Sequence, residues 1–200
     1  MPAQISRRNH GPSLLATLSL LGCAHVAAAA DGDYATTMYV ARVSGEAHWQ
    51  DVAVDPAFTK YEPAYLAVAA LSREYAQPFD GRLAVEWEGQ VGYAFGPETY
   101  WQFNVVPVVA RWRFEPTPNL DMSTAFGLGL SFTTSMPQTE VKLEGESHRE
   151  LVYWVAELTA GPHASPWSMT LRLHHRSVAF GLMGKDGGMN AVGLGLRWRY

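Results

Sequence analysis

The feature that most constrains the fold is a strict alternation between large apolar residues and small or polar residues. The clearest stretch closes the chain. Its apolar side consists of Val192, Leu194, Leu196, Trp198 and Tyr200, and its other side of Ala191, Gly193, Gly195, Arg197 and Arg199. A helix would distribute these apolar residues around its circumference, whereas a β-strand places them all on one face. The pattern therefore predicts an all-β protein.

The same period of two recurs along the chain and predicts eight strands. We expect them near residues 34–46, 61–75, 82–95, 99–114, 120–133, 150–161, 167–177 and 189–200. Pro107 lies inside the fourth strand and predicts a β-bulge there, because proline cannot donate a hydrogen bond to a neighbouring strand.

The face opposite the apolar one distinguishes a soluble barrel from a membrane barrel. A soluble barrel turns its apolar face inward, whereas a membrane barrel turns apolar and aromatic residues outward and keeps small or polar residues inside. Here the second face combines Gly, Ala and Ser with charges, including Glu86, Glu88, Arg172, Arg197 and Arg199. This mixture suits the narrow interior of an eight-stranded barrel, where Glu86 and Glu88 are expected to pair with Arg197 or Arg199.

The predicted connections alternate in length. The turns at 77–81, 115–119 and 162–166 are short, whereas three of the four opposite connections, at 47–60, 134–149 and 178–188, are longer. Short turns at one end and long loops at the other are typical of outer-membrane barrels. The chain also ends on an aromatic residue, Tyr200, an ending that the outer-membrane assembly machinery recognises. We predict an eight-stranded antiparallel up-and-down transmembrane β-barrel in the bacterial outer membrane.

The first 30 residues have the organisation of a secretory signal peptide. Arg7 and Arg8 precede a short apolar core, and an alanine run at 27–30 is suited to cleavage. We therefore predict a signal peptide over residues 1–30 and a barrel over residues 31–200. A transmembrane anchor and a lipoprotein processing box at 20–23 are the less favoured alternatives. Cys23, the only cysteine, lies in this leader, so the sequence predicts neither a disulfide nor a thiolate metal site in the exported protein.

Candidate catalytic residues lie in the seventh strand, where polar residues interrupt the apolar face. Met169, Leu171 and Leu173 should point outward, so His175 and Ser177 should point outward as well. A histidine and a serine two positions apart on a strand stand side by side, as the base and the nucleophile of an acyl-transfer site do. Desolvating them at a lipid-facing surface costs free energy, which favours a functional reason for their presence.

The eighth strand supplies a third candidate. If outward residues pair with outward residues, Asn190 lies opposite His175. An amide oxygen can orient a catalytic histidine, although it stabilises the imidazolium less than a carboxylate does. Asp186, in the preceding loop, is a second candidate for this role. His174 should point into the barrel, so that His174 and His175 cannot hold a metal ion together.

The C-terminal part of the chain resembles a known family. The segment Leu173-His174-His175-Arg176-Ser177, then Gly181, then Gly187-Gly188-Met189-Asn190 and the closing aromatic strand, resembles the lipid A 3-O-deacylases, the PagL-like outer-membrane esterases. The resemblance implies an eight-stranded barrel with a catalytic His-x-Ser on the lipid-facing side of its penultimate strand.

Site roles follow from this resemblance. It implies that His175 is the general base, that Ser177 is the nucleophile and that Asn190 orients the base. It also implies that Gly181 contributes a backbone N–H to the oxyanion hole. The chain departs from the family at two positions, because Val178 stands where the family usually has Asn and the amide of Asn190 replaces a glutamate.

These observations predict an outer-membrane esterase that removes an ester-linked acyl chain from lipid A and needs no cofactor or metal. The expected partners are lipopolysaccharide in the outer leaflet and the assembly machinery that binds the C-terminal strand. A net charge of −4 gives no reason to expect nucleic acid. A non-catalytic structural or lipopolysaccharide-binding barrel is the alternative, and homodimerisation stays open.

Overall fold

The computed structural model describes residues 34–45 and 48–200. The predicted signal peptide, with Cys23, lies outside the described residues. The eight strands are β1 Tyr34–Ser44, β2 Tyr61–Ala76, β3 Leu83–Phe95, β4 Tyr100–Thr117, β5 Leu120–Thr133, β6 Glu150–Pro162, β7 Trp167–Ser177 and β8 Gly188–Arg199. The prediction of eight strands is confirmed, and β4 continues beyond its predicted end at residue 114. Two short helices, α1 Trp49–Val54 and α2 Gln138–Glu144, lie in the loops after β1 and β5. No helix in the described part of the chain is long and apolar enough to cross a membrane.

The strands form a closed antiparallel barrel in chain order, in which β1 pairs with both β2 and β8. Closure gives every strand two partners and leaves no edge with unpaired backbone groups. We call the end with the short connections 77–82, 118–119 and 163–166 the turn end, which also holds Tyr34 and Tyr200. The opposite end, with the long connections that contain α1 and α2, is the loop end.

The outer wall of the barrel is apolar. About half of the side-chain surface of each of Val40, Trp101, Phe126, Met169 and Leu196 is exposed, although all five lie within strands. Stacked aromatic pairs lie near the turn end, with ring centroids 5.6 Å apart for Trp167–Trp198 and 6.3 Å apart for Tyr34–Tyr200. An apolar wall with aromatic residues at its rim is the exterior of an outer-membrane barrel.

The interior of the barrel contains a network of buried ion pairs. Its six members, which we call the ion-pair network, are Arg111, Arg172, Arg197, Glu86, Glu88 and Glu157. All six are almost completely buried. Three positive charges therefore meet three negative charges, and the network is formally neutral.

Two of the glutamates bridge arginines from different strands. Glu86 accepts hydrogen bonds from Arg111 Nε at 2.8 Å and from Arg197 Nη2 at 2.9 Å. Glu157 accepts one from Arg111 Nη1 at 2.7 Å and another from Arg172. The predicted pairing of Glu86 with Arg197 is confirmed. The predicted alternative partner Arg199 lies too near the turn end to reach either glutamate, and it donates to the backbone oxygen of Ser165 at 3.2 Å instead.

The predicted bulge at Pro107 is confirmed. The pairing between β4 and β5 shifts between Val105 and Val108. Gly129 of β5 faces this bulge, and a Cβ atom there would collide with the backbone of Val105 and Val106. The bulge therefore requires glycine at position 129.

Helix α2 covers the interior at the loop end and is tied to β7. The Glu98 carboxylate accepts the backbone N–H groups of Gln138 and Thr139 at 2.6 and 2.8 Å, which holds the start of the helix. Glu140 is fully buried, accepts a hydrogen bond from Ser147 Oγ at 2.5 Å, and lies 3.4 Å from Arg176 Nε of β7. Burial raises the pKa of Glu140, and the charge of Arg176 opposes that rise.

Replacing Arg172 by methionine should destabilise the barrel, because Glu88 and Glu157 would keep buried charges without their shared partner. Removing one partner of a buried ion pair costs about 3–5 kcal/mol. The measurement is urea denaturation in detergent, followed by the fast-migrating folded band on an unheated gel. Arg73→Met is the matched control, since Arg73 is exposed on the outer face of β2. Equal shifts of the two denaturation midpoints would contradict the role of the network.

A histidine at the turn end should titrate above the usual histidine range. His163 Nδ1 lies 2.8 Å from Asp121 Oδ1, and this hydrogen bond raises the pKa of His163. A raised histidine pKa stabilises the folded state fully below the unfolded pKa, and this contribution is lost as the pH rises through the folded pKa. Asp121→Asn should move the His163 pKa back toward its ordinary value in an NMR titration. An unchanged midpoint would show that Asp121 is not the cause.

Candidate active site

Strand β7 presents two different surfaces. Thr170, Arg172, His174 and Arg176 point into the barrel and are buried, as predicted from the alternation. His175 and Ser177 occupy the outward positions at the loop end of the strand. The alternation therefore places both candidate catalytic side chains on the outer wall.

His175 is held by a hydrogen bond to a side chain of the neighbouring strand β8. The β7–β8 register places His175 opposite Asn190, as predicted, and His175 Nδ1 lies 2.6 Å from Asn190 Oδ1. An amide oxygen can only accept, so Nδ1 of His175 carries the proton. The neutral ring is then fixed in the tautomer that leaves Nε2 with a free lone pair. This is the protonation state that a general base needs.

Ser177 shares the outward face with His175 but does not bond to it. Its Oγ accepts the backbone N–H of Ala179 at 3.4 Å, and its cross-strand neighbours are Val152 of β6 and Gly188 of β8. Among residues 34–45 and 48–200, no hydrogen bond joins the side chains of Ser177 and His175. Such bonds are commonly long or misaligned without substrate, and a serine hydroxyl reorients by rotation about χ1.

The turn that follows Ser177 has an uncommon backbone conformation. Ala179, Phe180 and Gly181 are consecutive residues with left-handed φ angles of 49°, 58° and 90°. Such a conformation costs free energy in residues other than glycine and is often found at functional sites. A hydrogen bond from Met183 N to Val178 O at 3.0 Å closes the turn. No hydrogen bond in the described chain uses the Gly181 N–H, which leaves it free to bind an anion.

Aromatic rings surround the candidate base. The Trp154 ring packs against the His175 ring with centroids 4.6 Å apart and an interplanar angle of 30°. Trp49 of α1 packs edge-on against Trp154 at 5.3 Å, and Phe126 of β5 lies 5.8 Å from it. We call Trp49, Phe126 and Trp154 the aromatic cluster. This cluster was not predicted from the sequence, although the predicted pairing of the sixth and seventh strands places Trp154 within reach of His175.

The other candidates lie away from His175. Asp186 is exposed in the β7–β8 loop, where its backbone N–H donates to Glu146 at 3.0 Å. His174 is fully buried, with Nδ1 3.0 Å from the Tyr39 hydroxyl and 3.2 Å from the Tyr153 hydroxyl. The two adjacent histidines therefore point to opposite faces.

The turn end holds the features that could accept an ion or a small molecule. Glu115, Asp121 and His163 have ligand atoms within 4.8 Å of one another there. A cavity of about 630 Å³ also opens at this end, lined in part by Arg113 and Arg199. Both features lie at the opposite end of the barrel from His175 and Ser177. We therefore assign them no part in the candidate active site.

Comparison with known proteins supports the fold. No protein-family model matches the chain, and no curated protein sequence matches it. The crystal structure of the outer-membrane enzyme PagL is similar at a TM-score of 0.55, with 16% sequence identity over 83% of this chain and 99% of that chain. At this identity the likeness shows the fold alone.

Two further structures share a lower similarity. A chain from the de novo design of transmembrane β-barrels has a TM-score of 0.40 at 12% identity, covering 85% of this chain and 97% of that chain. Ail, the attachment invasion locus protein of Yersinia pestis, has a TM-score of 0.37 at 13% identity, covering 84% of this chain and 99% of that chain. The closed eight-stranded antiparallel barrel is confirmed by the strand topology and by the similarity to the PagL structure, and membership of the deacylase family stays a prediction.

The two adjacent histidines should respond differently to replacement by alanine. His174→Ala removes a buried ring that is hydrogen-bonded to the side chains of Tyr39, Tyr153 and Gln102, which costs about 1–3 kcal/mol. His175→Ala removes one hydrogen bond, that to Asn190, and should shift the urea midpoint less. The gel assay of folded protein measures both. A larger loss of stability for His175→Ala would contradict these placements.

Proposed function

We propose that this protein is an outer-membrane esterase that removes an ester-linked acyl chain from lipid A. The 2.6 Å hydrogen bond between His175 Nδ1 and Asn190 Oδ1, on the outer wall beside Ser177, carries the proposal. It supplies a neutral, oriented base on the same face as a potential nucleophile. These are the parts that acyl transfer through a serine requires.

The position of the site favours a lipid as the substrate. His175 and Ser177 lie on a wall whose outward residues are mostly apolar, and they lie at the loop end. In outer-membrane barrels the long loops face the cell exterior, so this height corresponds to the outer leaflet, where lipid A resides. A lipid can reach this surface by diffusing within its leaflet, whereas a soluble ester would first have to enter the membrane. The fold similarity to PagL, an outer-membrane enzyme, is compatible with this function.

The proposed reaction has two balanced steps. Ser177 Oγ attacks the ester carbonyl carbon while its proton moves to His175 Nε2, and the bond to the leaving oxygen then breaks as that oxygen takes the proton from His175. A water molecule next attacks the acyl carbonyl carbon while its proton moves to His175 Nε2. The bond from that carbon to Ser177 Oγ then breaks as Oγ takes the proton back from His175, which releases the fatty acid and restores Ser177. Asn190 keeps the ring oriented through both steps.

The negatively charged oxygen of the tetrahedral intermediate needs hydrogen-bond donors. The Gly181 N–H is one candidate, because it has no other partner in the described chain and follows Ser177 by one tight turn. Val178 offers no side-chain donor. One missing oxyanion donor typically costs two to three orders of magnitude in rate, so we expect a slower enzyme than one with an asparagine at position 178.

Expression of the wild-type protein in a Gram-negative host should remove one acyl chain from lipid A, as measured by mass spectrometry. Ser177→Ala and His175→Ala should each abolish this loss, and the double variant should be no worse, because the two residues act as a unit. Asn190→Ala should leave residual activity, since Asn190 takes no part in proton transfer. Ser168→Ala, at the turn end of the same strand, is the matched control and should behave as the wild type.

Two outcomes would overturn the proposal. One is an unchanged lipid A in cells that hold the folded wild-type barrel, and the other is full deacylation by Ser177→Ala. Either result would favour the non-catalytic barrel.

A further inference from the structure

The outward residues at the candidate site are unusually well covered. Elsewhere on the outer wall of β7 and β8, Met169 and Leu196 are 58% and 51% exposed, whereas His175 and Asn190 are 9% and 3% exposed. All four belong to outward positions of the same two strands. Neighbouring parts of the chain therefore cover the second pair.

Helix α1 lies near this pair. It follows β1, lies close to β8 and buries Val52 completely. Its first residue, Trp49, packs edge-on against Trp154, which in turn packs against His175. The helix therefore lies against the outer wall beside the candidate base, and Trp49 remains 41% exposed.

The aromatic cluster leads from the site to the apolar wall. The strand register aligns Leu128 of β5, Trp154 of β6 and His175 of β7 in one row. Phe126 and Leu128 are each 53% exposed. Beyond Ser177, the β7–β8 loop first exposes Phe180 and Leu182 and then carries the charges of Lys185 and Asp186. An ester carbonyl at Ser177 would thus have an apolar surface toward β5, and the nearest charged side chains of this loop at Lys185 and Asp186.

We propose that Trp49 and Trp154 form the surface that binds the acyl chain of the ester substrate, with α1 as its wall, and that they determine acyl-chain-length specificity. The inference rests on the proposed esterase function. An acyl chain leaving the carbonyl toward Trp154 stays against apolar side chains, while the polar remainder of the lipid lies toward Lys185 and Asp186. Each methylene group in contact with the aromatic cluster strengthens binding. Removal of an indole should therefore weaken the binding of long acyl chains more than that of short ones.

The test measures hydrolysis of p-nitrophenyl tetradecanoate and p-nitrophenyl butanoate by the purified, refolded barrel in detergent micelles. Trp49→Ala should lower the ratio of kcat/KM for the long ester to that for the short ester by about 10-fold, and Trp49→Phe should retain most of the ratio. Trp87→Ala is the matched control, because Trp87 is an exposed indole on β3, which lies four strands from β7 around the barrel. Its ratio should equal that of the wild type.

Trp154→Leu, checked for folding by gel mobility, tests the second residue, and the ratio should fall there too. If Trp49→Ala leaves the ratio unchanged, even with an equal loss of kcat/KM on both esters, the inference is overturned. The proposed esterase function is not affected by that result. A folded wild type that hydrolyses neither ester at a rate above Ser177→Ala overturns the proposed function and the inference with it.

Discussion

The ion-pair network inside the barrel is the interaction on which the rest of the structure depends. An eight-stranded barrel has an interior just wide enough for side chains, and here three arginines and three glutamates occupy it in neutral combination. Removing one charged member would leave its partner as an unpaired charge in a low-dielectric space. Because the middle of the lumen is filled, it offers no room for a lipid, and a site that acts on a membrane substrate has to lie on the outer wall.

Strand β7 connects this interior to the candidate site. Its inward residues are anchored, since Arg172 binds Glu88 through two hydrogen bonds of 2.9 and 2.7 Å and Arg176 donates to the backbone oxygen of His148 at 2.7 Å. His175 and Ser177 alternate with these anchors on the opposite face. A strand held from inside in this way offers outward side chains on a rigid backbone, which a catalytic pair needs. The tight turn with left-handed residues begins only where the anchored part of the strand ends.

The sequence predicted most of the fold but only part of the site. The alternation has a period that only strands produce, so all eight strands were predictable, and the His175–Asn190 pair followed from matching outward faces in one hairpin. The same period says which face a residue occupies but not its height in the barrel, because strand tilt and stagger decide which interior residues meet. That is why Arg172, rather than Arg199, is the partner of Glu88. Helices α1 and α2 are too short to show a helical period, so the sequence does not predict them. The packing of Trp49 against Trp154 joins distant segments of the chain, and no local pattern indicates it.

The amide at position 190 suits the burial of this side chain. Asn190 is 3% exposed, so a carboxylate there would lose most of its hydration, which costs several kcal/mol per ion in protein interiors. A neutral imidazole beside a neutral amide avoids that penalty in the resting state. In the proposed reaction the penalty would arise in the transition state, when His175 becomes an imidazolium without a countercharge from Asn190. The neutral pair would then stabilise the resting site and lower the rate, and the aromatic ring of Trp154, packed against His175, lies where its π-electrons would partly offset the missing charge.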